Sequence, residues 1–306
     1  MANILVTGGA GYVGIMLVRA LLEQGHRVTI LDNFMYGYES VLHLFPNPNL
    51  SVIKYDIRNR LDGILEPFQV VYHLAGISGY PACEANPSSA QYINVDATRN
   101  IVNHLTSGQT LIYASTTSFY GNAQSICDEN APIKPISLYG ITKYEAEKIV
   151  MNRKNSIALR FATIFGVSPR MRVDLLVNDF VYKAVHERSI VIFEGKTKRT
   201  FVHLRDAVDA YLLAMDKRNE MMDQVFNVGD ESMNYSKLEI ARRVEAQTKC
   251  TVVDSQMSDI DYRNFEVNFS KIKRHGYRVK ISLDEGIQEL VKLYQFYKPF
   301  STFQII

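Results

Sequence analysis

Thr7-Gly8-Gly9-Ala10-Gly11-Tyr12-Val13-Gly14 is the stretch from which the fold is read. It holds a GxGxxG pattern starting at Gly9 and a GxxGxxG pattern starting at Gly8, and either match alone is weak. The setting strengthens both. A β-branched run, Ile4 to Thr7, precedes the glycines, and an amphipathic run with Leu17, Val18, Leu21 and Leu22 follows and stops at Gly25. Glycines between a strand and a helix permit a tight turn and a close backbone approach, so the helix amides and dipole can receive a diphosphate. A dinucleotide site is therefore expected here.

Outward from that stretch, short β-branched runs alternate with helical patterns. The runs are Ile4 to Thr7, Val28 to Leu31, Ser51 to Tyr55, Val70 to Leu74, Thr110 to Ala114 and Ser156 to Arg160. Six such runs with intervening helices predict an α/β fold of Rossmann type, a doubly wound parallel sheet, over residues 1–166. After Gly166 the rhythm breaks. The pattern predicts a helix from Asp174 to Glu187, strands at Ile190 to Phe193 and Thr200 to Leu204, and helices near Asp206 to Met215 and Lys237 to Gln247. A smaller mixed α/β substrate-binding domain is expected over residues 167–306, with segments near 200–235 returning to the first domain.

Asp32 ends the second run at the interval where a carboxylate meets the adenosine ribose. It would accept hydrogen bonds from the ribose hydroxyls and repel a 2′-phosphate. Asn33 and Phe34 follow with no Arg or Lys, so NAD is expected rather than NADP.

Composition narrows the remaining possibilities. The 306 residues are 47% hydrophobic and 22% charged, enough for one large or two ordinary cores. The formal charge is +2 and spread along the chain, which argues against a face for nucleic acid or an anionic membrane. Lys196, Lys198 and Arg199 make a patch suited at most to one diphosphate. Cys83, Cys127 and Cys250 are three and far apart, fitting neither a disulfide framework nor a metal site. The opening MANILVTGG lacks the basic and apolar segments of a leader, and nowhere do about 18 apolar residues run together. A cytoplasmic location is the expectation.

The chemistry is read from Leu138-Tyr139-Gly140-Ile141-Thr142-Lys143, which predicts a helix with Tyr139 and Lys143 four apart on one face. A phenol is a poor base at neutral pH, and an adjacent ammonium favours its phenolate. The pattern YxxxK is common by chance and gains meaning from the dinucleotide fingerprint before it. Upstream, Ala114-Ser115-Thr116-Thr117-Ser118-Phe119-Tyr120-Gly121 is a hydroxyl-rich strand end at the carboxyl edge, where ligands of such sheets bind. His73 and His203 sit among apolar neighbours and read as structural.

Taken together, TGGAGYVG, Asp32, His73-Leu74-Ala75-Gly76, STTSFYG and YGITK resemble the extended short-chain dehydrogenases that modify nucleotide sugars, the NAD-dependent epimerase/dehydratase family. Arg160 to Gly166, Arg199 to Asp206, Phe226-Asn227-Val228-Gly229 and Asp261-Tyr262-Arg263 extend the resemblance to nearly the whole chain. The resemblance implies that Gly8, Gly11, Tyr12, Val13 and Gly14 hold the pyrophosphate. It assigns Asp32 to the ribose and Asp56 and Ile57 to the adenine, with Asn33, Asn94 and Phe161 also among the cofactor residues. Leu74, Ala75 and Gly76 fall to the middle of the cofactor. Thr116, Tyr139 and Lys143 become a hydroxyl, phenol and ammonium triad, the last two touching cofactor as well. Ser78, Thr116, Ser118, Thr163, Asn178, Arg199 and Arg263 become substrate residues, the arginines suited to the diphosphate of a nucleoside-diphosphate sugar.

Departures from the family pattern narrow the reaction. The 4,6-dehydratases of this family carry Asp-Glu after the active-site threonine, where Thr117 and Ser118 stand here. Its decarboxylases keep a glutamate and its 3,5-epimerases a cysteine at Ser118. Thr163 replaces the family's asparagine. The resemblance thus implies oxidation of the C4 hydroxyl to a 4-keto intermediate, first as a 4-epimerase. The run Val167-Ser168-Pro169-Arg170-Met171-Arg172 resembles a subgroup acting on bacterial surface-polysaccharide sugars, which keeps a GDP-heptose 4-dehydrogenase or 4-ketoreductase as the alternative. A non-enzymatic dinucleotide-binding role is disfavoured because the tyrosine and lysine are both present. Helices near Ser88 to Leu105 and Leu138 to Met151 resemble those that pair between family subunits, so a homodimer is expected. The apolar tail Phe300 to Ile306 could pack on a neighbour or on its own domain.

Overall fold

The computed structural model describes residues 1–255 and 263–298. Seven strands form one sheet: β1 (Asn3–Thr7), β2 (Arg27–Asp32), β3 (Leu50–Lys54), β4 (Val70–His73), β5 (Thr110–Thr116), β6 (Ser156–Phe161) and, from later in the chain, β10 (Gln224–Val228). Their order is β10-β6-β5-β4-β1-β2-β3, every pair parallel. β4 and β6 are buried along their whole length, because helices cover both faces of a parallel sheet. Winding reverses between β1 and β4, where Thr7 lies in register with His73. A crevice at the carboxyl ends follows from that reversal.

After β6 the chain builds a second, smaller body. Strands β7 (Thr163–Phe165), β9 (Lys198–His203) and β11 (Asn234–Ser236) form a mixed sheet in the order β11-β9-β7, and β8 (Ser189–Phe193) pairs with β12 (Thr251–Ser255). Two of its helices begin on capping boxes. Ser236 and Glu239 make a reciprocal box at Lys237–Thr248, and Ser282 and Glu285 make another at Leu283–Tyr294. Helix Leu204–Asp216 then leads the chain back to β10 at the edge of the large sheet.

Three apolar clusters hold these layers. One packs Ile15, Val18 and Leu21 of helix Gly14–Glu23 and Ala207 and Tyr211 of the 204–216 helix onto one sheet face. Another packs Ala97, Ile101, Ala146 and Val150 onto the opposite face. The third fills the smaller body with Phe165, Phe180, Ile190, Phe201, Ile240 and Ile287, and Tyr12 from the glycine loop joins it. The Tyr12 hydroxyl donates to the Gly166 carbonyl at 2.7 Å, tying the two bodies together beside the crevice.

Two readings of local structure change. The helix read as continuous from Ser88 to Leu105 is three pieces, Pro87–Gln91, a π-helical turn Tyr92–Asp96, and Ala97–His104. The helix read from Asp174 begins at Leu176. Asp261, Tyr262 and the Phe300 to Ile306 tail lie outside the described residues. Among the described residues no helix is long and apolar enough to cross a membrane.

Candidate active site

A cavity of about 700 Å³ runs along the crevice between the two bodies. Its size lies in the range of small-molecule and cofactor sites. At one end is the glycine loop. Gly8 sits at φ +70°, and a Cβ there would lie 2.7 Å from the Ala75 amide nitrogen. A Cβ on Gly14 would lie 2.2 Å from the Gly8 carbonyl oxygen and 2.8 Å from Gly9 Cα. Only glycine allows the loop to close so tightly on the helix start. The cap residue Val13 gives no side-chain hydrogen bond, and the Ile15 amide in the first turn donates to the Gly11 carbonyl at 3.0 Å. Gly14→Ala is therefore expected to weaken NAD binding by at least about tenfold and to lower stability by about 1–3 kcal/mol. Calorimetric titration with NAD and a thermal melt measure both, and parent-like values would contradict this account of the loop.

Asp32 closes the other side of the loop. Its carboxylate accepts from the Ala10 amide at 3.0 Å and the Phe34 amide at 2.9 Å. Burial raises its pKa, and those backbone donors partly offset the rise. Asn33 donates to Asp56 at 3.3 Å, and Arg58 clamps Asp56 with bonds of 2.9 and 2.7 Å. The Arg58 hydrogen bond holds the Asp56 pKa down to about 2. Ile57, Leu74, Ala75 and Gly76 line the middle of the cavity with Phe161.

The chemistry-bearing side chains converge beyond that point. Ser137 caps helix Leu138–Met151 by accepting the Gly140 amide, which fixes Tyr139 and Lys143 one turn apart facing the cavity. Thr116, at the end of β5, lines the same space and accepts the Ser118 amide at 3.0 Å. Burial pushes the Lys143 ammonium down to about 7, against the opposing pull of Glu147 and Cys83. Its Nζ lies 4.2 Å from the centroid of the Tyr113 ring. Ser118 reaches the cavity, whereas Thr117 is buried and donates its hydroxyl to the Phe161 carbonyl at 3.1 Å. The residues that follow Thr116 on the chain bring hydroxyls, not carboxylates, to the strand end.

Ser78, Thr163, Arg199 and Arg263 also line the cavity. Of the basic patch, only Arg199 turns inward; Lys196 is exposed and Lys198 pairs with Glu266 at 2.7 Å. Two asparagines assigned to ligands stand behind the wall instead. Asn178 is fully buried, accepting from the Gly166 amide at 3.0 Å and donating to the Arg172 carbonyl at 2.8 Å. Asn94, on the π-helical turn, accepts from the Ile77 amide at 2.8 Å and donates to the Ile77 carbonyl and to Thr142. Both position cavity loops through backbone contacts. His73 is also structural, held between Thr7 at 2.7 Å and Thr98 at 2.9 Å, with burial lowering its pKa to about 3. His203 caps the 204–216 helix, its pKa lowered to about 4 by burial.

Several lining residues were not singled out as ligands from sequence. Arg170 stacks on Tyr36 at 4.4 Å from the ring centroid, bridging the 167–174 loop to the β2 side of the cavity. Arg172 pairs with Asp174 at 2.5 Å and donates to the Ser78 carbonyl. The alternating arginines of Pro169-Arg170-Met171-Arg172 were the visible signal, but their direction depends on how that loop folds back.

The glycine cradle, the Asp32 carboxylate and the Tyr139 and Lys143 side chains line one cavity of a dinucleotide-binding enzyme on a doubly wound sheet. The chain belongs to the NAD dependent epimerase/dehydratase family, whose model matches residues 4–229. It is an enzyme family with NAD as cofactor, and the cradle that a Cβ would fill fits that group. The chain is 30% identical over 309 residues to a protein of Methanocaldococcus jannaschii named provisionally as a UDP-glucose 4-epimerase, covering 94% of this chain and 97% of that one. It is 29% identical to UDP-glucuronic acid decarboxylase 2 of Arabidopsis thaliana, covering 95% of this chain and 67% of the relative. Among solved structures, UDP-glucuronic acid 4-epimerase from Bacillus cereus with UDP-glucuronic acid and NAD superposes at TM-score 0.86 and 24% identity, over 96% of this chain and 100% of that one. That likeness establishes the shared fold.

Proposed function

We propose that this enzyme is a nucleotide-sugar 4-epimerase that oxidises the C4 hydroxyl of a UDP-sugar and returns the hydrogen to the opposite face. The observation that carries the reading is the convergence of Thr116, Tyr139 and Lys143 on one cavity that the glycine cradle, Arg199 and Arg263 also line. NAD, when bound, supplies the acceptor and later the donor of the C4 hydrogen. Tyr139 removes the hydroxyl proton, Thr116 shares a hydrogen bond with the same oxygen, and Lys143 favours the phenolate. Arg199 and Arg263 neutralise the diphosphate.

Epimerisation needs one acid/base at C4 and no second pair at C5 or C6. Thr117 is committed to the Phe161 carbonyl and Ser118 is a neutral hydroxyl, which disfavours dehydration. The relatives named for UDP-sugars support uracil as the base. Exposed Tyr92 and Ile141 on the outer helical face support the pairing of two copies, and a cytoplasmic site of action agrees with the substrate class. Purified enzyme incubated with UDP-, GDP- and CDP-sugars is the test, read by proton NMR at C4 and by absorbance of reduced cofactor. Inversion at C4 without net reduced cofactor is the expected outcome. Accumulating ketone with reduced cofactor would replace the epimerase reading with a 4-dehydrogenase.

A further inference from the structure

We infer that the ring of Tyr113 is the seat of the Lys143 ammonium, making Tyr113 a positioning residue that acts on the reaction through Lys143. Tyr113 lies on β5, three residues before Thr116, with its side chain buried behind the cavity wall. It is not a lining residue and touches neither cofactor nor substrate space. The Lys143 Nζ stands over the ring face at 4.2 Å from the centroid. Among the described residues no carboxylate lies within ion-pair distance of that nitrogen. The face of an aromatic ring offers negative potential to an ammonium held against it.

Glu147 also favours the ammonium from one turn away, and the Tyr113 ring is the group in direct contact with it. Glu147, one turn on, is engaged by Arg160 at 2.7 Å and by Ser115 at 2.6 Å. Cys83 and Glu84 come from helix Tyr80–Ala85; burial raises the Cys83 thiol to about 11, which keeps it neutral. His73 on β4 is neutral for the same reason of burial. Asp96 and Arg99, on the helical segments packed beside the 138–151 helix, face solvent. Tyr139 lies on the cavity side.

The Tyr113 hydroxyl makes the idea testable. It is buried and has no hydrogen-bond partner, so the oxygen has no visible structural task and the ring does. Tyr113→Phe removes the oxygen and keeps the π face, whereas Tyr113→Leu removes the face. This inference rests on the reading that Lys143 supplies charge to Tyr139, yet its main measurement needs no substrate. Carbon-13 NMR of Cε-labelled lysine, with the Lys143 resonance assigned by its loss in Lys143→Met, follows the titration directly in the holoenzyme.

In Tyr113→Leu the Lys143 midpoint should fall by about one pH unit, a tenfold loss of ammonium relative to amine, while Tyr113→Phe stays close to the parent. The kcat at neutral pH should fall in parallel, with KM for the sugar nearly unchanged. Should Tyr113→Leu fail to fold, phenylalanines of increasing fluorination placed at position 113 keep the shape and drain the π face. The midpoint should then fall stepwise with fluorine content. An unmoved midpoint in Tyr113→Leu or across the fluorinated series, or a shift in Tyr113→Phe as large as in Tyr113→Leu, would overturn the seat. Loss of turnover in Tyr139→Phe tests the reaction separately, so the two failures are distinguishable.

Discussion

Tyr139→Phe should reduce turnover by about 100- to 10,000-fold while leaving NAD affinity within a factor of about two. The rate loss is the worth of a positioned general base, and the phenyl ring preserves the shape that the cavity wall requires. No other described side chain at the end of β5 can replace it, since Thr116 and Ser118 bring neutral hydroxyls and Thr117 faces the Phe161 carbonyl. Thr116→Val removes a single neutral hydrogen bond to the reacting oxygen, so its effect should be nearer tenfold. Fluorescence titration with NAD, together with single-turnover kinetics on the sugar found by the substrate panel, separates binding from chemistry. Turnover of Tyr139→Phe within tenfold of the parent would remove Tyr139 from its assigned role.

The parts of this site that were legible in the sequence are those fixed by local geometry. Glycine spacing constrains a turn whatever surrounds it, and the clash distances at Gly8 and Gly14 show why those positions cannot carry a side chain. Tyr139 and Lys143 share a face because a helix repeats every 3.6 residues. Polar residues whose direction depends on packing were harder. Asn94 and Asn178 have the right chemistry for a ligand, but each turns from its helical segment onto the backbone of a neighbouring loop, a direction that depends on tertiary packing. Asn94 is turned inward by a π-helical turn, which adds a residue to the helical repeat and leaves no periodic trace in so short a segment. Arg170 meets Tyr36 from more than a hundred positions away, a pairing that only the closure of the second body onto the first creates.

Behind the reacting groups lies a buried charge network whose disruption should have the largest effect on stability. Glu147, on the 138–151 helix, takes bonds from Arg160 Nη2 at 2.7 Å, from Arg160 Nε at 3.0 Å and from the Ser115 hydroxyl at 2.6 Å. Arg160 on β6 also donates to the Tyr120 hydroxyl at 2.9 Å, and Tyr120 donates in turn to Asn227 on β10 at 2.8 Å. The side chains of Arg160 and Glu147 are only 5% and 4% exposed. The network thus joins β5, β6 and β10 to the helix that bears Tyr139 and Lys143, and Ser115 immediately precedes Thr116. Glu147→Ala leaves a guanidinium without its counterion in the core, so the loss should be about 3–5 kcal/mol by urea denaturation. Replacing both partners, Glu147→Met with Arg160→Met, removes the uncompensated charge and should recover much of that loss, because an ion pair in the interior gains little over apolar packing. The recovered fold should nevertheless turn over more slowly than the parent, since the helix and strand end are no longer tied through Ser115. A Glu147→Ala protein within 1 kcal/mol of the parent, measured to the precision of about 10–15% that extrapolation allows, would show that the guanidinium finds water or another acceptor instead.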